Sequence, residues 1–177
     1  MKKIILSAVA LSSLAVIFAF TLSQNWQITD QYNITFATSG ASGIFKKFTG
    51  SIAFDDQNTV TSKFDVTIDV NSINTGNGMQ NKDAKSADWF DAAKYPVIKY
   101  TSTKIVKTGT TYQSTGNLQI HGIAKQITIP FTFKRTASGG EFDGVFTINR
   151  NDFNIGKPDA EVGTDIKLTV SAPVIKK

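Results

Sequence analysis

The chain has 177 residues, enough for one packed domain and a short leader, and its 19 Lys and Arg against 14 Asp and Glu give a formal charge of +5. With 41% hydrophobic and only 19% charged residues it has a core to bury, which argues against disorder. Cysteine is absent and histidine occurs once, at His121, so thiol nucleophiles, disulfide frameworks and Cys or multi-His metal clusters are excluded.

Met1-Lys2-Lys3 followed by the apolar run Ile4 to Phe20 has the pattern of a secretory signal peptide. Residues 1–23 are therefore expected to be a leader, with small residues near Ala19 and Ser23 for cleavage, and 24–177 the mature domain. The run is at the lower edge of what spans a bilayer, so an uncleaved anchor is the alternative. No cysteine lies near residue 20 to carry a lipoprotein anchor. The expected location is periplasmic or secreted.

Beyond the leader the dominant period is two. Trp26 to Ala37 and Phe45 to Phe54 are the first candidate strands. Then Phe64, Val66, Ile68 and Val70 alternate with Asp65, Thr67 and Asp69, one apolar face and one wet. Residues 81–94, rich in Ala, Lys and Asp with Ala84, Ala87, Trp89, Phe90 and Ala93 at helical spacing, predict a short helix or helical lid that Tyr95-Pro96 stops. Val97 to Ile105, Thr111 to Ile120, the alternation Ile127, Ile129, Phe131, Phe133, then Glu141 to Asn149, and finally Ile166, Leu168, Val170 complete about eight strands. Turn signals at Thr38-Ser39-Gly40, Asp55 to Asn58, Lys107-Thr108-Gly109, His121-Gly122 and Ser138-Gly139-Gly140 favour sequential antiparallel pairing. Gly76-Asn77-Gly78 also reads as hairpin material. Pro130, inside a strong strand, marks an edge, a bulge or a splayed position.

Eight strands with one apolar face must roll up, and the expected fold is all-β, an eight-stranded antiparallel barrel with one short helix in a long connection. Such a barrel is just wide enough to fill with side chains or to hold one small ligand, and the sequence leaves that choice open. His121 reads as a turn histidine, since no nucleophile or ligand pattern accompanies it. Asp55, Asp56, Asp83 and Asp88 form no calcium-loop pattern and read as solvated acids, Asp88 also as a cap for a helical turn. No glycine run cradles a phosphate, and the basic pairs Lys46-Lys47, Lys134-Arg135 and Lys176-Lys177 are scattered, so nucleic acid is not an expected partner.

Several segments occur in a telling order: Trp26-Gln-Ile-Thr29; Gly43-Ile-Phe-Lys-Lys-Phe-Thr-Gly50; Ile68 to Gly76; Ser86-Ala-Asp-Trp-Phe-Asp91 with Lys94-Tyr-Pro96; Gly116 to Lys125; and Asn149-Arg-Asn-Asp-Phe-Asn-Ile-Gly156. Through them the chain resembles the YceI-like lipid/polyisoprenoid-binding family, exported bacterial proteins with a lipocalin-like barrel. The resemblance implies binding of a long amphiphilic isoprenoid, such as a polyprenyl phosphate or quinone-like lipid, inside the barrel. It departs from the family pattern where Gln80-Asn-Lys-Asp-Ala84 replaces an Arg-Asp-x-His-Leu stretch, and where Asn154 replaces a glycine.

The candidate ligand-binding residues are taken from the inward parity and the matched segments. The first half supplies Phe36, Phe45, Phe48, Phe64, Val66, Ile68, Trp89, Phe90, Ile98 and Tyr100. The second supplies Leu118, Ile120, Ile129, Phe131, Phe146, Ile148, Arg150, Asp152, Ile166 and Leu168. Arg150 and Asp152 either pair to close the barrel or grip a polar head group, and Trp89 with Phe90 either anchor the core or line the entrance. The loop at Gly40 to Gly43 and the Trp89 helix are the expected gates. The expected role is a non-catalytic carrier with no catalytic residues, no metal and no cofactor beyond its lipid cargo. Transient membrane contact and a homodimer through outer strand faces are compatible with it. The alternatives are a filled barrel acting as a stress-response or protein-interaction module, and an enzyme working at the barrel mouth.

Overall fold

The computed structural model describes residues 23–177, so the expected leader lies outside the described residues except for Ser23. Among these residues the strands are β1 (Gln24–Ile28), β2 (Asn33–Thr38), β3 (Ala41–Phe45), β4 (Phe48–Phe54), β5 (Lys63–Asp69), β6 (Ile73–Asn74), β7 (Val97–Thr108), β8 (Thr111–Ile120), β9 (Ile123–Arg135), β10 (Gly139–Asn149) and β11 (Asp165–Lys176), with one α-helix, α1 (Gly78–Lys85). All pairings are antiparallel, and the ring β1-β4-β5-β7-β8-β9-β10-β11 closes because β1 also pairs with β11. The protein is a closed eight-stranded antiparallel barrel. Closure removes the exposed edges that an open sheet of this size leaves unpaired.

Three of the eight staves are bent, and for that reason eleven strands make eight. β1 and β2, β3 and β4, and β5 and β6 are each one run of chain broken by a short kink. The kinks sit beside one another and serve one another's main chain. The Tyr32 hydroxyl donates to the Lys46 carbonyl at 2.8 Å and accepts from the Phe48 amide at 3.1 Å. The Lys46 amide donates to the Ser72 carbonyl at 3.1 Å and the Lys47 amide to the Ser72 hydroxyl at 3.0 Å. Groups that leave the ladder thus find partners within the barrel wall.

Alternation drives the rest. Along β8, Tyr112, Ser114, Gly116, Leu118 and Ile120 are buried while the residues between face out. β7 buries Ile98, Tyr100 and Ser102 but then Ile105, a change of parity that coincides with a register shift between Ser102 and Lys104. Gly50 in β4 has φ +148, and a Cβ there would strike the Asp65 carbonyl and Val66 of β5, so only glycine fits that crossing.

The aromatic residues close one end. Phe54 is fully buried and meets Phe64, Tyr112, Phe131, Phe133 and Phe142 with ring centroids between 5.1 and 6.1 Å. Trp26 caps this plug, its indole N–H donating to the Phe54 carbonyl at 2.9 Å. Outside it Arg135 stacks 5.4 Å over Trp26 and pairs with Asp56. The hydrogen bond from Arg135 holds the Asp56 carboxyl below its ordinary value. A depressed folded-state pKa stabilises above the unfolded value of about 3.9 and loses that contribution as pH falls through the folded one. Because Arg135 is well exposed, Asp56→Asn is expected to cost only about 0.5–1 kcal/mol at pH 7. Urea unfolding should show the gap to wild type closing as pH drops below about 4.

The helix differs from the sequence expectation. It begins at Gly78, where the Asn77 side chain caps the Met79 and Gln80 amides, and ends at Ser86, whose amide and hydroxyl both turn back to the Asp83 carbonyl. Gly76-Asn77-Gly78 is therefore a helix start and not a hairpin, and Asn77, not Asp88, supplies the cap. Residues 87–94 are turns, with Asp91 at φ 44, so Trp89 and Phe90 sit on a loop. Pro130 marks a splayed position: β9 pairs with β8 from Ile123 to Phe131 but with β10 only from Phe131 to Arg135.

Candidate functional site: an apolar two-chamber tunnel

Opposite the aromatic plug, the connections 38–41, 75–96, 121–122 and 150–164 gather over the barrel mouth. Beneath them lies a chamber of about 260 Å³, and below that a second of about 130 Å³. Ile34, Ile68, Ile98, Leu118, Phe146 and Val170 border both, so the two are one tunnel running toward the plug. Its size, concavity and apolar wall are those of a small-molecule site.

The upper chamber is walled by Phe36, Phe45, Ile120, Ile148, Ile166 and Leu168, with Trp89 and Phe90 over it. The lower is walled by Phe48, Phe64, Val66, Tyr100, Ile129 and Phe131. Buried Tyr100 carries the main polar group below. Its hydroxyl donates to the Ser114 carbonyl at 2.9 Å and lies 2.7 Å from the Ser114 hydroxyl. Burial raises the phenol above its ordinary value, so this island stays neutral and offers a tail no charge.

Of the sequence candidates, all line the tunnel except Asp152. The expected Arg150–Asp152 pair is absent. Residues 150–153 form a 3₁₀ turn, in which side chains two apart diverge, and Asp152 reaches out to Lys125 at 3.2 Å instead. Arg150 is 1% exposed and is consumed by its own loop. Nε donates to the Gly163 carbonyl at 3.2 Å, Nη2 to Val162 at 3.0 Å, and Nη1 to Ile155 at 2.8 Å, Lys157 at 2.9 Å and the Asn151 side chain at 3.1 Å. Its guanidinium also lies 5.5 Å over Trp89. Arg150 is thus a clamp that ties loop 150–164 and Trp89 over the mouth.

Asn154 is left-handed at φ 52, which explains how it stands where the resembled family carries glycine. Gly156, at φ +68, packs under Trp89, where a Cβ would approach the ring to 2.8 Å. Gly156→Ala is expected to cost about 1–3 kcal/mol and to shift Trp89 emission, checked by thermal melts and fluorescence of the same samples. Gly40 and Ala41 border the chamber as the expected gate, while Gly43 lies within β3, packed against Phe36 and the Asn74 carbonyl. His121 is a turn residue at φ 51, with Nδ1 3.2 Å from the Phe153 carbonyl and its ring edge-on to Tyr95. Among the described residues, no three His, Cys, Asp or Glu side chains gather where they could hold a metal ion.

Sequence reasoning missed several wall residues. Ile34 and Val170 share the parity of Phe36 and Leu168, a signal that was available. Ile155 and Val162 come from the irregular loop that Arg150 holds, where no period marks them.

Comparison with known proteins places this architecture. A family profile described as YceI-like domain matches residues 24–174. The curated protein YceI of Salmonella arizonae is 32% identical over 145 residues, covering 76% of this chain and 74% of the relative. The crystal structure of Burkholderia cenocepacia BcnA superposes with TM-score 0.78 at 30% identity, over 81% of this chain and 96% of that one. A polyisoprenoid binding domain from Saccharophagus degradans shares the fold at TM-score 0.67 and 16% identity, over 89% of this chain and 100% of that one.

Proposed function

The chain belongs to the YceI-like domain family, and on that premise we propose that it is a non-catalytic carrier of a polyisoprenoid or similar long-chain amphiphile. The observation that carries the reading is the tunnel: an apolar cavity of about 260 Å³ continuing into a second of about 130 Å³, stopped by a plug of aromatic rings. Each CH₂ moved from water into such a wall gains about 0.8 kcal/mol, so affinity comes chiefly from the tail. The head group rests at the mouth, near α1 and Trp89. The polyisoprenoid-binding domain that shares this fold, and an empty tunnel where a filled barrel would have side chains, favour this reading over an interaction module. Residues 1–23 direct export and are removed, and the domain works outside the cytoplasm, in contact with membranes when it loads and unloads.

The two tryptophans report on the reading separately, because Trp89 faces the upper chamber and Trp26 is sealed in the plug. Titration with a polyprenyl phosphate should give a saturable emission change in Trp26→Phe, which retains Trp89, and none in Trp89→Phe. Unchanged emission in both variants at micromolar protein and lipid overturns the proposal.

A further inference from the structure

The barrel wall has a seam. β9 and β10 pair over five residue pairs, against eleven for β10 and β11 and nine for β8 and β9. Above Pro130 and Gly144, residues 123–130 of β9 lean only on β8, and residues 145–149 of β10 only on β11. Pro130, lacking an N–H, stands where the ladder stops. The tunnel reaches this seam from within: Ile129 and Phe146 border the lower chamber from its two sides, and so does Asp143, which is exposed on the outer face. The lower chamber is lined by no residue of the mouth loops, so a tail in it leaves either the length of the tunnel through the upper chamber or sideways through the wall.

The mouth, by contrast, is pinned. Arg150 fixes loop 150–164, and Asn81 holds the Thr75 amide and hydroxyl at 2.7 and 2.9 Å beside α1. Widening the mouth by moving these loops breaks these contacts, whereas parting β9 from β10 above Pro130 breaks no ladder hydrogen bond. At the top of the seam the strands are tied by the exposed Lys125–Asp152 ion pair and by His121 against the Phe153 carbonyl.

Building on the carrier reading, we propose that the tail enters and leaves sideways through the β9–β10 seam, with Lys125–Asp152 as its latch. This gives a role to Asp152, which takes no part in the tunnel wall, and lets a membrane-embedded tail pass into the barrel without first crossing water.

Thr128 and Thr147 are both exposed on the outer face of the seam, and the chain has no other cysteine to interfere. Thr128→Cys/Thr147→Cys protein loaded with a polyprenyl phosphate is stapled with a short bis-maleimide. Its release into vesicles of phosphatidylethanolamine and phosphatidylglycerol is then followed by Trp89 emission. The staple is expected to slow release at least tenfold, while a staple across the mouth, Ser39→Cys/Gln80→Cys, changes it less than twofold. Asp152→Asn is expected to speed release two- to fivefold without lowering the melting temperature. Release unchanged by the seam staple but slowed by the mouth staple overturns the seam. Failure of the protein to load at all overturns the carrier reading itself, and is seen before any staple is applied.

Discussion

Arg150→Met is expected to destabilise the protein by about 3–5 kcal/mol, the range seen when a buried charge network loses one partner. Methionine keeps the apolar stem of the side chain and removes the guanidinium, so the loss is chiefly that of the charge and its hydrogen bonds. Four carbonyls, of Ile155, Lys157, Val162 and Gly163, lose their donor together, and the Ile155 bond is fully buried. An unmet buried acceptor costs about 1–3 kcal/mol, with water able to rescue the outer ones. Arg150→Lys should recover little, because one ammonium cannot span the fan of carbonyls that a planar guanidinium reaches. Urea titration checks both variants, with the midpoint falling while the slope stays near wild type. A loss below about 1 kcal/mol would show that the loop holds itself and that the clamp is idle.

The second large effect is on ligand selectivity. Leu118 is buried where the two chambers meet, and Leu118→Trp places an indole across that junction. The added ring occupies empty tunnel rather than packed core, so stability should change by less than about 1 kcal/mol. A long tail then loses the lower chamber. Excluding about four methylenes costs roughly 3 kcal/mol, a hundredfold in Kd. A ten-carbon prenyl phosphate, short enough for the upper chamber, should weaken by no more than about threefold. Tryptophan-independent calorimetry on both lipids reads the difference. Equal weakening for both chain lengths would mean that the chambers do not act in series.

The barrel was legible because its strands have an inside and an outside: Phe64, Val66 and Ile68, then Ile129 and Phe131, then Ile166, Leu168 and Val170 write the tunnel wall as every second residue. Where the wall is bent or broken the signal fades. The kinks at residues 29–32, 46–47 and 70–72 carry no glycine or proline, and what holds them is a tyrosine hydroxyl and a serine from neighbouring staves that lie far apart in sequence. The Ala- and Lys-rich composition of 81–94 pointed to a helix there, but Asn77 set the start and Ser86 the end, so the helix lies earlier and Trp89 reaches the chamber from a loop. Arg150 and Asp152 show the limit most clearly. Their spacing suggested an ion pair, whereas the arginine's partners are main-chain carbonyls, which every residue possesses and no sequence pattern can mark.

The central claim is that the tunnel holds a lipid tail, and native mass spectrometry of the protein purified from its host, followed by denaturing extraction, tests it most directly. A discrete excess mass is expected, leaving on denaturation as a polyprenyl or quinone-type lipid. A clean apo mass, unchanged after incubation with a panel of such lipids, would contradict it.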